Sequence, residues 1–389
     1  MGGRTRLIDV ATHAGVSQAT ASRALVDDPR ISARTRAAVK AAAAELQYIP
    51  NAAARNLRSR RTRTLGLVIV DLSDPFHGMV AQGFEMAAGE AGYTVIFASG
   101  LSDPVRERRA LKVFVEHGTD GIALVSSVLD PREARSRAEP DPLVLVQPDH
   151  RTLMPGRDPL PDGVVQTDDV GGVEQIVDHL IERGYRDIGY VGAGVLPSNA
   201  VRRETAVRRL RHHGVRRPLR RFQAGIEGYR SPGALAAIVQ QSLPEALICY
   251  DDKLALALLD ALRGLGVRVP DHVAIVGFDD VPFASIANPR LTTVTTPTHE
   301  MGRVAARGLI QAIQTGTMPP ATLLPVRLAP RESTPPVTSA DRRPPARATT
   351  TPSTSTTSPR PDSDSATGRT GRPRGSAGAA LSTTAMVHA

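Results

Sequence analysis

The residues between Val16 and Arg23 could recognise the edges of nucleic-acid bases. Gln18, Thr20 and Ser22 supply short hydrogen-bond donors and acceptors, and Arg23 supplies a guanidinium group. Such side chains on one exposed helix face are what direct reading of the major groove of DNA requires. The stretch therefore predicts a helix that reads DNA.

Two short helices joined by a tight turn would position this face. Apolar residues at helical spacing predict a first helix with one apolar stripe, namely Leu7, Val10, Ala11 and Ala14. Gly15 suits the left-handed conformation at a helix end. Ser17 can cap the next helix, because its hydroxyl can accept a backbone N–H bond. The pattern is typical of a helix-turn-helix.

The second helix of this pair should bury Ala21 and Leu25. Its outward residues are then Gln18, Ala19, Thr20, Ser22 and Arg23. Ser32 predicts the start of a third helix over 33–47, and Tyr48-Ile-Pro50 predicts its end. Asn51 could cap a helix over 51–58, which is so short that it should form only against a partner or DNA.

The spacing of these residues resembles the DNA-binding head of the lactose-repressor/galactose-repressor (LacI/GalR) family. The matching residues are Ile8-Asp-Val-Ala11, Ala14-Gly-Val-Ser17, Thr20-x-Ser-Arg23 and Tyr48-x-Pro-Asn51-x-x-Ala54-Arg55-x-Leu57. So many residues at matching spacing are a more specific signal than a helix-turn-helix alone.

The resemblance implies a role in DNA binding for particular residues. Gln18 and Ala19 would choose operator bases, and Leu57 would be a wedge in the minor groove at the centre of a palindrome. The alternatives are a solvated glutamine at 18 and ordinary core packing of Leu57. The full set of candidate DNA-binding residues is Thr5, Leu7, Ser17, Gln18, Ala19, Thr20, Ser22, Arg23, Asn51, Ala54, Arg55, Leu57 and Arg58, with Arg60, Arg61 and Arg63 as further phosphate contacts.

The charge is unevenly distributed along the 389 residues. Residues 1–64 carry 12 Lys/Arg against 4 Asp/Glu, residues 65–332 carry 29 against 32, and residues 333–389 carry 7 against 3. The largest basic excess thus coincides with the DNA-reading pattern, as contact with phosphate requires.

A single cysteine, Cys249, excludes an internal disulfide framework, and no apolar run reaches the ~20 residues of a membrane helix. We expect a cytoplasmic protein.

Beyond residue 64 the chain alternates short apolar runs with helical patterns. This rhythm predicts a two-lobed α/β core of doubly wound parallel sheets, similar to periplasmic binding proteins, behind an all-α head. We expect a head over 1–50, a hinge helix and linker over 51–64, and a core over 65–332. Lobe 1 would cover about 65–161 and 293–328, and lobe 2 about 162–292. The Pro-, Ser- and Thr-rich residues 333–389 should form a disordered tail.

The core also resembles the effector-binding core of the same family. The matching residues are Asp74-Pro-Phe76, Asp120-Gly121, Asp168 with Gly171, His179-Leu180, Arg183-Gly-Tyr-Arg186, Asp252 with Ala255, Val276-Gly-Phe-Asp-Asp280, Pro289-x-Leu-Thr-Thr293 and Met301-Gly302. With the head, the resemblance covers roughly residues 5–332. It departs from the family at Gln147-Pro-Asp149, where an Asp-Arg pair is usual, and at Ala206-Val207, where Gly-Phe is usual.

Ligands of doubly wound sheets bind beyond the carboxyl ends of the strands. The polar residues after the predicted strands are therefore the candidates for effector binding, and the resemblance adds to them. The set is Phe76, Ser126, Asp168, Asn199, Arg203, Asp252 and Asp279.

Each of these candidates has an alternative reading. Asp279, Asp252 and Asp168 could instead cap turns or helices, and Phe76 could pack beneath its helix. Arg202 is a rival to Arg203, because the departure at 206–207 leaves the register uncertain.

Enzymatic readings are weaker. The order of glycines in Gly189-x-x-Gly192-x-Gly194 is wrong for a dinucleotide loop, and His212-His213 has no metal-ligand cluster beside it. We expect no catalysis, cofactor or metal. The sequence predicts a dimeric, ligand-controlled transcriptional regulator, most simply a repressor, whose partners are a DNA operator and a small sugar-like or nucleoside-like effector. The alternatives are a solute-binding protein and an enzyme on a doubly wound fold.

Overall fold

The computed structural model describes residues 5–48, 61–148, 160–192, 197–224, 235, 238 and 242–337. Predictions for the helix at 51–58, the loop at 149–159 and the tail beyond 337 lie outside the described residues. Between 225 and 241 the described residues are Leu235 and Ile238, and both are buried.

The head consists of three helices around a small core of its own. They are α1 (Leu7–His13), α2 (Gln18–Ala24) and α3 (Ala33–Glu45). Val10, Ala21, Ala24 and Val39 are completely buried in this core. Gly15 adopts the expected left-handed conformation, and Ser17 and Ser32 cap α2 and α3 as expected. The helix-turn-helix prediction is confirmed.

The first lobe is a six-stranded parallel sheet covered by helices on both faces. Its strand order is β11-β5-β4-β3-β1-β2. The strands are β1 (Thr64–Ile69), β2 (Thr94–Ser99), β3 (Gly121–Val125), β4 (Leu143–Val146), β5 (Val164–Thr167) and β11 (Thr322–Leu324). The covering helices are α4 (Pro75–Glu90), α5 (Pro104–Glu116), α6 (Pro131–Ala138) and α10 (Thr298–Thr315). Gly83 and Gly302 let α4 and α10 touch, since a Cβ at either would meet backbone of the other helix at 2.0 Å.

The second lobe is a four-stranded parallel sheet in the order β7-β6-β8-β9. Its strands are β6 (Ile188–Gly192), β7 (Arg220–Gln223), β8 (Ala246–Cys249) and β9 (Ala274–Val276). Helices α7 (Asp169–Glu182) and α8 (Pro197–His212) cover one face, and α9 (Asp252–Gly264) covers the other. A short antiparallel pair, β10 (Thr293–Thr295) and β12 (Arg327–Ala329), adjoins β9. The prediction of two doubly wound parallel lobes is confirmed.

The chain crosses between the lobes later than predicted. Strand 164–167 pairs within the first sheet, so the expected start of lobe 2 at 162 is wrong by about six residues. Similarly, β10 and β12 pack on the second lobe, although 293–328 was assigned to the first. The apolar pattern identifies a strand, but it does not say which sheet the strand joins.

The described core also continues past its predicted end at residue 332. Ser333 and Thr334 are completely buried, and the Val337 N–H donates to the Arg183 carbonyl at 2.8 Å. Residues 333–337 therefore belong to the second lobe, and the predicted start of the tail at 333 is wrong. The prediction relied on composition, and Ser333 and Thr334 are polar. They are nevertheless buried, because their hydroxyl groups form hydrogen bonds inside the second lobe.

A buried chain of hydroxyl groups secures this segment to α7. His179 Nε2 lies 2.8 Å from the Thr334 hydroxyl, which in turn lies 2.7 Å from the Thr292 hydroxyl. Burial, together with the nearby charge of Arg183, lowers the pKa of His179 to about 4. The folded protein therefore holds this imidazole neutral.

We predict that His179 makes stability fall in mild acid. Unfolded histidine titrates near pH 6.5, so its contribution is complete above that pH and is lost as the pH falls towards 4. Urea unfolding of the wild type should lose about 2 kcal/mol more between pH 7 and 4.5 than that of His179→Gln, which cannot titrate. Equal pH dependence of the two proteins would refute this role.

Candidate functional site

The reading face of the head lies on α2. The Ser17 hydroxyl accepts the Thr20 N–H at 3.1 Å and so starts the helix. Ala21 and Ala24 are buried beneath it, which leaves Gln18, Ala19 and Arg23 exposed. Leu25 is only half-buried, so Ala24 takes the inward place that Leu25 was expected to share. The exposed face carries an amide, a methyl and a guanidinium group, which suits contacts with base edges and phosphate.

Other predicted DNA-binding residues of the head have structural contacts. The Thr5 hydroxyl donates to the Leu46 carbonyl at 3.0 Å, and Leu7 packs against the head core. Thr20 and Ser22 are half-buried, with the Thr20 hydroxyl 2.9 Å from that of Ser17. Asn51, Ala54, Arg55, Leu57 and Arg58 lie outside the described residues.

The described linker residues that were expected to contact phosphate also bind the first lobe. Arg61 donates to the Ile313 carbonyl at 2.8 Å. The Arg63 side chain donates to the Ala91 carbonyl at 3.3 Å and stacks on the Tyr93 ring. Asp120 accepts the backbone N–H groups of residues 62 and 63. These residues anchor the linker to the lobe, and their contact with phosphate stays a prediction, since both side chains are exposed.

The second candidate site is the edge where the strands of the two sheets end. Six residues at these strand ends have positive φ without being glycine, which strains the backbone and is common at functional sites. They are Leu101, Ser102, Ser126, Gln147, Asp279 and Asp280. Left-handed residues thus follow the carboxyl ends of β2, β3, β4 and β9, and the rest of the fold must offset their strain.

A buried arginine dominates this edge. Arg202 of α8 donates to both carboxylate oxygens of Asp169, at 3.2 and 3.3 Å. It also donates to the Tyr250 carbonyl at 2.6 Å, and its guanidinium carbon lies 3.6 Å from the centre of the Phe278 ring. Burial alone would lower the pKa of Arg202, but the carboxylates of Asp169 and Asp279 outweigh burial and raise it. Arg202 is therefore always charged.

Asp279 has unused hydrogen-bonding capacity beside this arginine. Its Oδ1 atom lies 3.8 Å from Arg202 Nη2, too far for a hydrogen bond, and has no hydrogen-bond partner among the described residues. The residue is only 8% exposed, and burial raises the pKa of its carboxyl well above the usual range, against the effect of Arg202. A ligand hydroxyl or N–H could satisfy this oxygen.

The structure replaces Arg203 with its rival. Arg203 lies on the outer side of α8, where its nearest acidic partner is Glu204 at 3.5 Å. Arg202 occupies the cluster instead. The departure at Ala206-Val207 shifted the expected register by one residue, and Ala206 is the residue that packs inward.

Two other predicted carboxylates are explained by local structure. Asp168 caps α7 by accepting the Gly171 N–H at 2.8 Å. Asp251, not Asp252, caps α9. Asp252 is completely buried and accepts the Thr293 hydroxyl and the Val281 N–H, and burial raises the pKa of its carboxyl to about 8.

The remaining predicted residues line or support the edge. Phe76 is partly buried against the first core, with its ring edge-on to His77. Ser126 follows β3 in the left-handed conformation, and Asn199 is buried at the start of α8 with its side chain 3.0 Å from where a Gly192 Cβ would lie. Asp169 is one of the polar residues that follow a predicted strand, whereas Tyr250 and Phe278 were not expected in the arginine cluster. Phe278 follows a predicted strand, which was a usable signal.

One ion pair joins the two lobes across this edge. Lys253 Nζ, at the start of α9, lies 3.4 Å from Asp74 Oδ2, at the start of α4. His77 Nδ1 lies 4.0 Å from the same oxygen, and burial lowers the pKa of this imidazole against the opposing effect of Asp74. The lobes therefore contact each other through charges that a change in their arrangement would separate.

The described residues contain no helix long and apolar enough to cross a membrane. Nor, within the same part of the chain, do three or more His, Cys, Asp or Glu side chains gather in a way that could hold a metal ion.

Comparison with known proteins matches both parts of the chain. Residues 6–51 match the model of bacterial regulatory proteins, lacI family, and residues 177–334 match the periplasmic binding protein-like domain. The HTH-type transcriptional regulator CelR of Thermobifida fusca is 34% identical over 356 residues, which cover 85% of this chain and 98% of the relative.

Solved structures agree with the fold. A complex of the transcriptional regulator CelR with cellobiose has a TM-score of 0.61 at 30% identity, covering 85% of this chain and 100% of that one. The lac repressor dimer bound to operator and the anti-inducer ONPF has a TM-score of 0.77 at 23% identity, covering 86% and 100%.

We predict a sharp contrast between the neighbouring arginines 202 and 203. Arg202→Gln leaves the buried Asp169 and Asp279 without a cation and should lower the free energy of unfolding by about 3–5 kcal/mol. Arg203→Gln, the matched control on the outer face, should change it by less than about 0.5 kcal/mol. Urea unfolding measures both, and similar losses in the two variants would show that Arg202 does not hold the cluster together.

Proposed function

The chain belongs to the lacI family of bacterial regulatory proteins, and from that premise we propose that it is a ligand-controlled transcriptional repressor. It binds a palindromic DNA operator as a homodimer. A small effector, sugar-like or nucleoside-like, occupies the edge between the two lobes and controls this binding.

The observation that carries the proposal is the reading face of α2. Gln18, Ala19 and Arg23 are exposed on a helix whose other side is fixed by a dedicated core. In helix-turn-helix proteins the second helix enters the major groove and presents such residues to base edges. Ser17, Thr20 and Ser22 lie beside them, and Thr5 and Leu7 position the first helix. Asn51, Ala54, Arg55, Leu57 and Arg58 would continue the contact into the minor groove.

Exposed apolar side chains support the homodimer. Phe283 and Ile286 are 55% and 75% exposed in a turn of the second lobe. Leu256 and Leu259 of α9 line a shallow pocket next to this turn, together with residues 287 and 288. The lac repressor structure contains a dimer on its operator. We propose that a second copy of this chain covers the patch, because two-fold symmetry in the protein matches a palindrome in DNA.

The unpaired oxygen of Asp279 supports binding of a hydroxyl-rich effector. Asp279 and Arg202 present an acceptor and remaining N–H groups side by side, as recognition of a sugar requires. Phe76, Ser126 and Asn199 would contribute an aromatic face and polar groups. Asp168 and Asp252 would stabilise the backbone around the site without contacting the effector, since both already accept local N–H bonds. The solved structure of CelR is a complex with cellobiose.

The linker supplies a physical route from effector to DNA. Residues 61–63 are hydrogen-bonded to the first lobe, so any movement of this lobe displaces the segment that precedes them. The Asp74–Lys253 ion pair joins the two lobes. The described chain also passes between the lobes three times, after β5, after β10 and after β11. These connections limit the arrangements that the lobes can adopt. An effector that prefers one arrangement would therefore change the affinity for DNA.

The proposal assigns no catalytic step and requires no cofactor or metal. It places the protein in the cytoplasm with its DNA. We propose the head as residues 1–50, the hinge and linker as 51–64, and the effector-binding core as the two lobes that follow.

The direct test is selection of genomic fragments by the purified protein at moderate salt. A recovered palindrome of even length would support the proposed regulator, and the genes beside it would indicate the effector. Fragments with no enriched sequence, in the presence and absence of pooled sugars and nucleosides, would contradict it.

We predict that Gln18→Ala weakens binding to the recovered palindrome by about 5- to 150-fold, equivalent to ~1–3 kcal/mol for a lost base contact. Binding to a duplex with scrambled sequence should stay unchanged, because an uncharged amide contributes little to phosphate contact. Fluorescence anisotropy with the two duplexes measures this. Equal losses on both would show that Gln18 does not read bases.

We predict that Asp279→Asn separates effector binding from DNA binding. Thermal unfolding with a panel of sugars and nucleosides should identify a compound that raises the melting temperature of the wild type. The variant should require at least about tenfold more of it, because asparagine replaces one carboxyl oxygen with an NH2 group and so removes an acceptor from the buried site. Its affinity for the palindrome without the compound should match the wild type, and an unchanged response to the compound would rule out this role for Asp279.

A further inference from the structure

Neither the DNA-reading head nor the proposed effector site between the lobes accounts for one strongly charged surface. Residues 208–221 contain seven arginines and two histidines, with no lysine and no acidic residue. Five of these arginines are exposed, namely Arg208, Arg211, Arg216, Arg217 and Arg221. We call these five residues the basic surface.

The fold brings the basic surface to one side of the second lobe. Ala206 and Leu210 pack α8 against the second core, so Arg208 and Arg211 lie on the outside of the helix. Arg221 lies opposite Tyr190 in the β6–β7 register, and Tyr190 belongs to the core beneath α8. Because paired residues of a parallel sheet point to the same face, Arg221 lies on the side that α8 covers.

The surface extends to the end of the lobe that is remote from the cleft. Arg217 forms a 2.8 Å ion pair with Asp187, which immediately precedes β6. Asp187 marks the amino edge of the second sheet, whereas Asp279 and Tyr250 follow the carboxyl ends of its strands. The basic surface is therefore separate from the effector site.

Local ion pairs neutralise only part of this charge. Glu174 pairs with Arg208, Asp178 with Arg209, and Asp187 with Arg217 and Arg220. Three carboxylates thus face seven arginines. Among the described residues, Arg211, Arg216 and Arg221 have no acidic partner within ion-pair distance. Crowding like charges raises the free energy of the folded state, and a bound anion would relieve that cost.

Two structural roles account for only some of these arginines. Arg209 and Arg211 lie in the last turn of α8, where cations interact well with the negative end of the helix. Arg221 lies on β7, an edge strand that charged residues protect from pairing with another chain. Arg216 lies in the turn between them and serves neither role.

The composition of the surface indicates what it binds. No large apolar side chain between 198 and 224 is exposed, so the centre of a protein–protein interface is missing. Tyr190 and Phe222 are buried, so neither ring can stack on the bases of a single strand, and the exposed His212 and His213 rings contact each other edge to face. Guanidinium groups match phosphate through paired N–H donors, and surfaces that bind duplex DNA are polar and positively charged.

We propose that the basic surface is a second DNA-binding site, which holds the phosphate backbone of duplex DNA without reading its sequence. It acts independently of the head. A chain with both sites can contact a second segment of DNA while α2 reads the first.

The test uses the full-length chain with the head disabled by Gln18→Glu and Arg23→Glu, two exposed positions. This protein should still bind a long duplex of random sequence in a salt-dependent manner. Adding R211Q, R216Q and R221Q should weaken that binding at least tenfold. It should also lower the slope of log affinity against log salt by up to about 2.7, which is ~0.9 for each lost phosphate contact.

The matched control replaces three exposed arginines of the first lobe, with R109Q, R132Q and R307Q, in the same head-disabled chain. It removes the same charge and should leave affinity and slope close to those of the head-disabled parent. Urea unfolding checks that both triple variants remain folded. Absence of binding by the head-disabled chain, or equal losses in the two triple variants, would overturn the proposal. Neither result would affect recovery of a palindrome by the intact head.

Discussion

The burial of one positive charge constrains the centre of this molecule. Arg202 carries its charge to the carboxyl edge of the second sheet, where it is 5% exposed. A cation can be buried there only if carboxylates and carbonyls surround it. Asp169 begins α7 and Asp279 follows β9, so the carboxylates that neutralise Arg202 both come from the second lobe. The cluster thus fixes the carboxyl edge of the second lobe, where Lys253 also contacts Asp74 of the first lobe.

This constraint also makes the site suitable for control. Arg202 is satisfied on most sides, whereas Asp279 retains an oxygen with no hydrogen bond. A ligand that supplies the missing donor in the second lobe and also contacts Phe76 or Ser126 of the first lobe would favour one arrangement of the two lobes. Because residues 61–63 are hydrogen-bonded to the first lobe, a shift of this lobe moves the linker, and the linker connects to the head.

Much of the fold could be predicted from the sequence, because apolar periodicity identifies helices and buried strands wherever they occur. Two elements were missed. Helix 131–138 is short and polar, and β7 buries only Phe222 and carries arginines, so neither shows an apolar run. The lobe boundaries were misplaced because β5, β10 and β12 join their sheets through contacts with distant segments of the chain. Local pattern contains no information about such partners.

The sequence predicted where the candidate site lies, but it did not predict every side chain that forms it. The residues after the strands were the correct place to look, and Asp279 and the rival Arg202 were named. The choice of Arg203 failed because one residue of register separates the inner and outer faces of a helix. Asp252 could not be resolved between two roles, because its buried partners, Thr293 and Val281, lie far away along the chain. Pairing across such distances becomes visible only in three dimensions.

The most direct test of the account is reciprocal linkage between effector and operator. The affinity of the wild-type chain for its palindrome would be measured with and without the sugar or nucleoside that stabilises it, and the affinity for that compound with and without the palindrome. We predict that both affinities change by the same factor, at least about fivefold. A compound that binds tightly in the cleft without changing the affinity for the palindrome would contradict the account, and would indicate a solute-binding core that does not control the head.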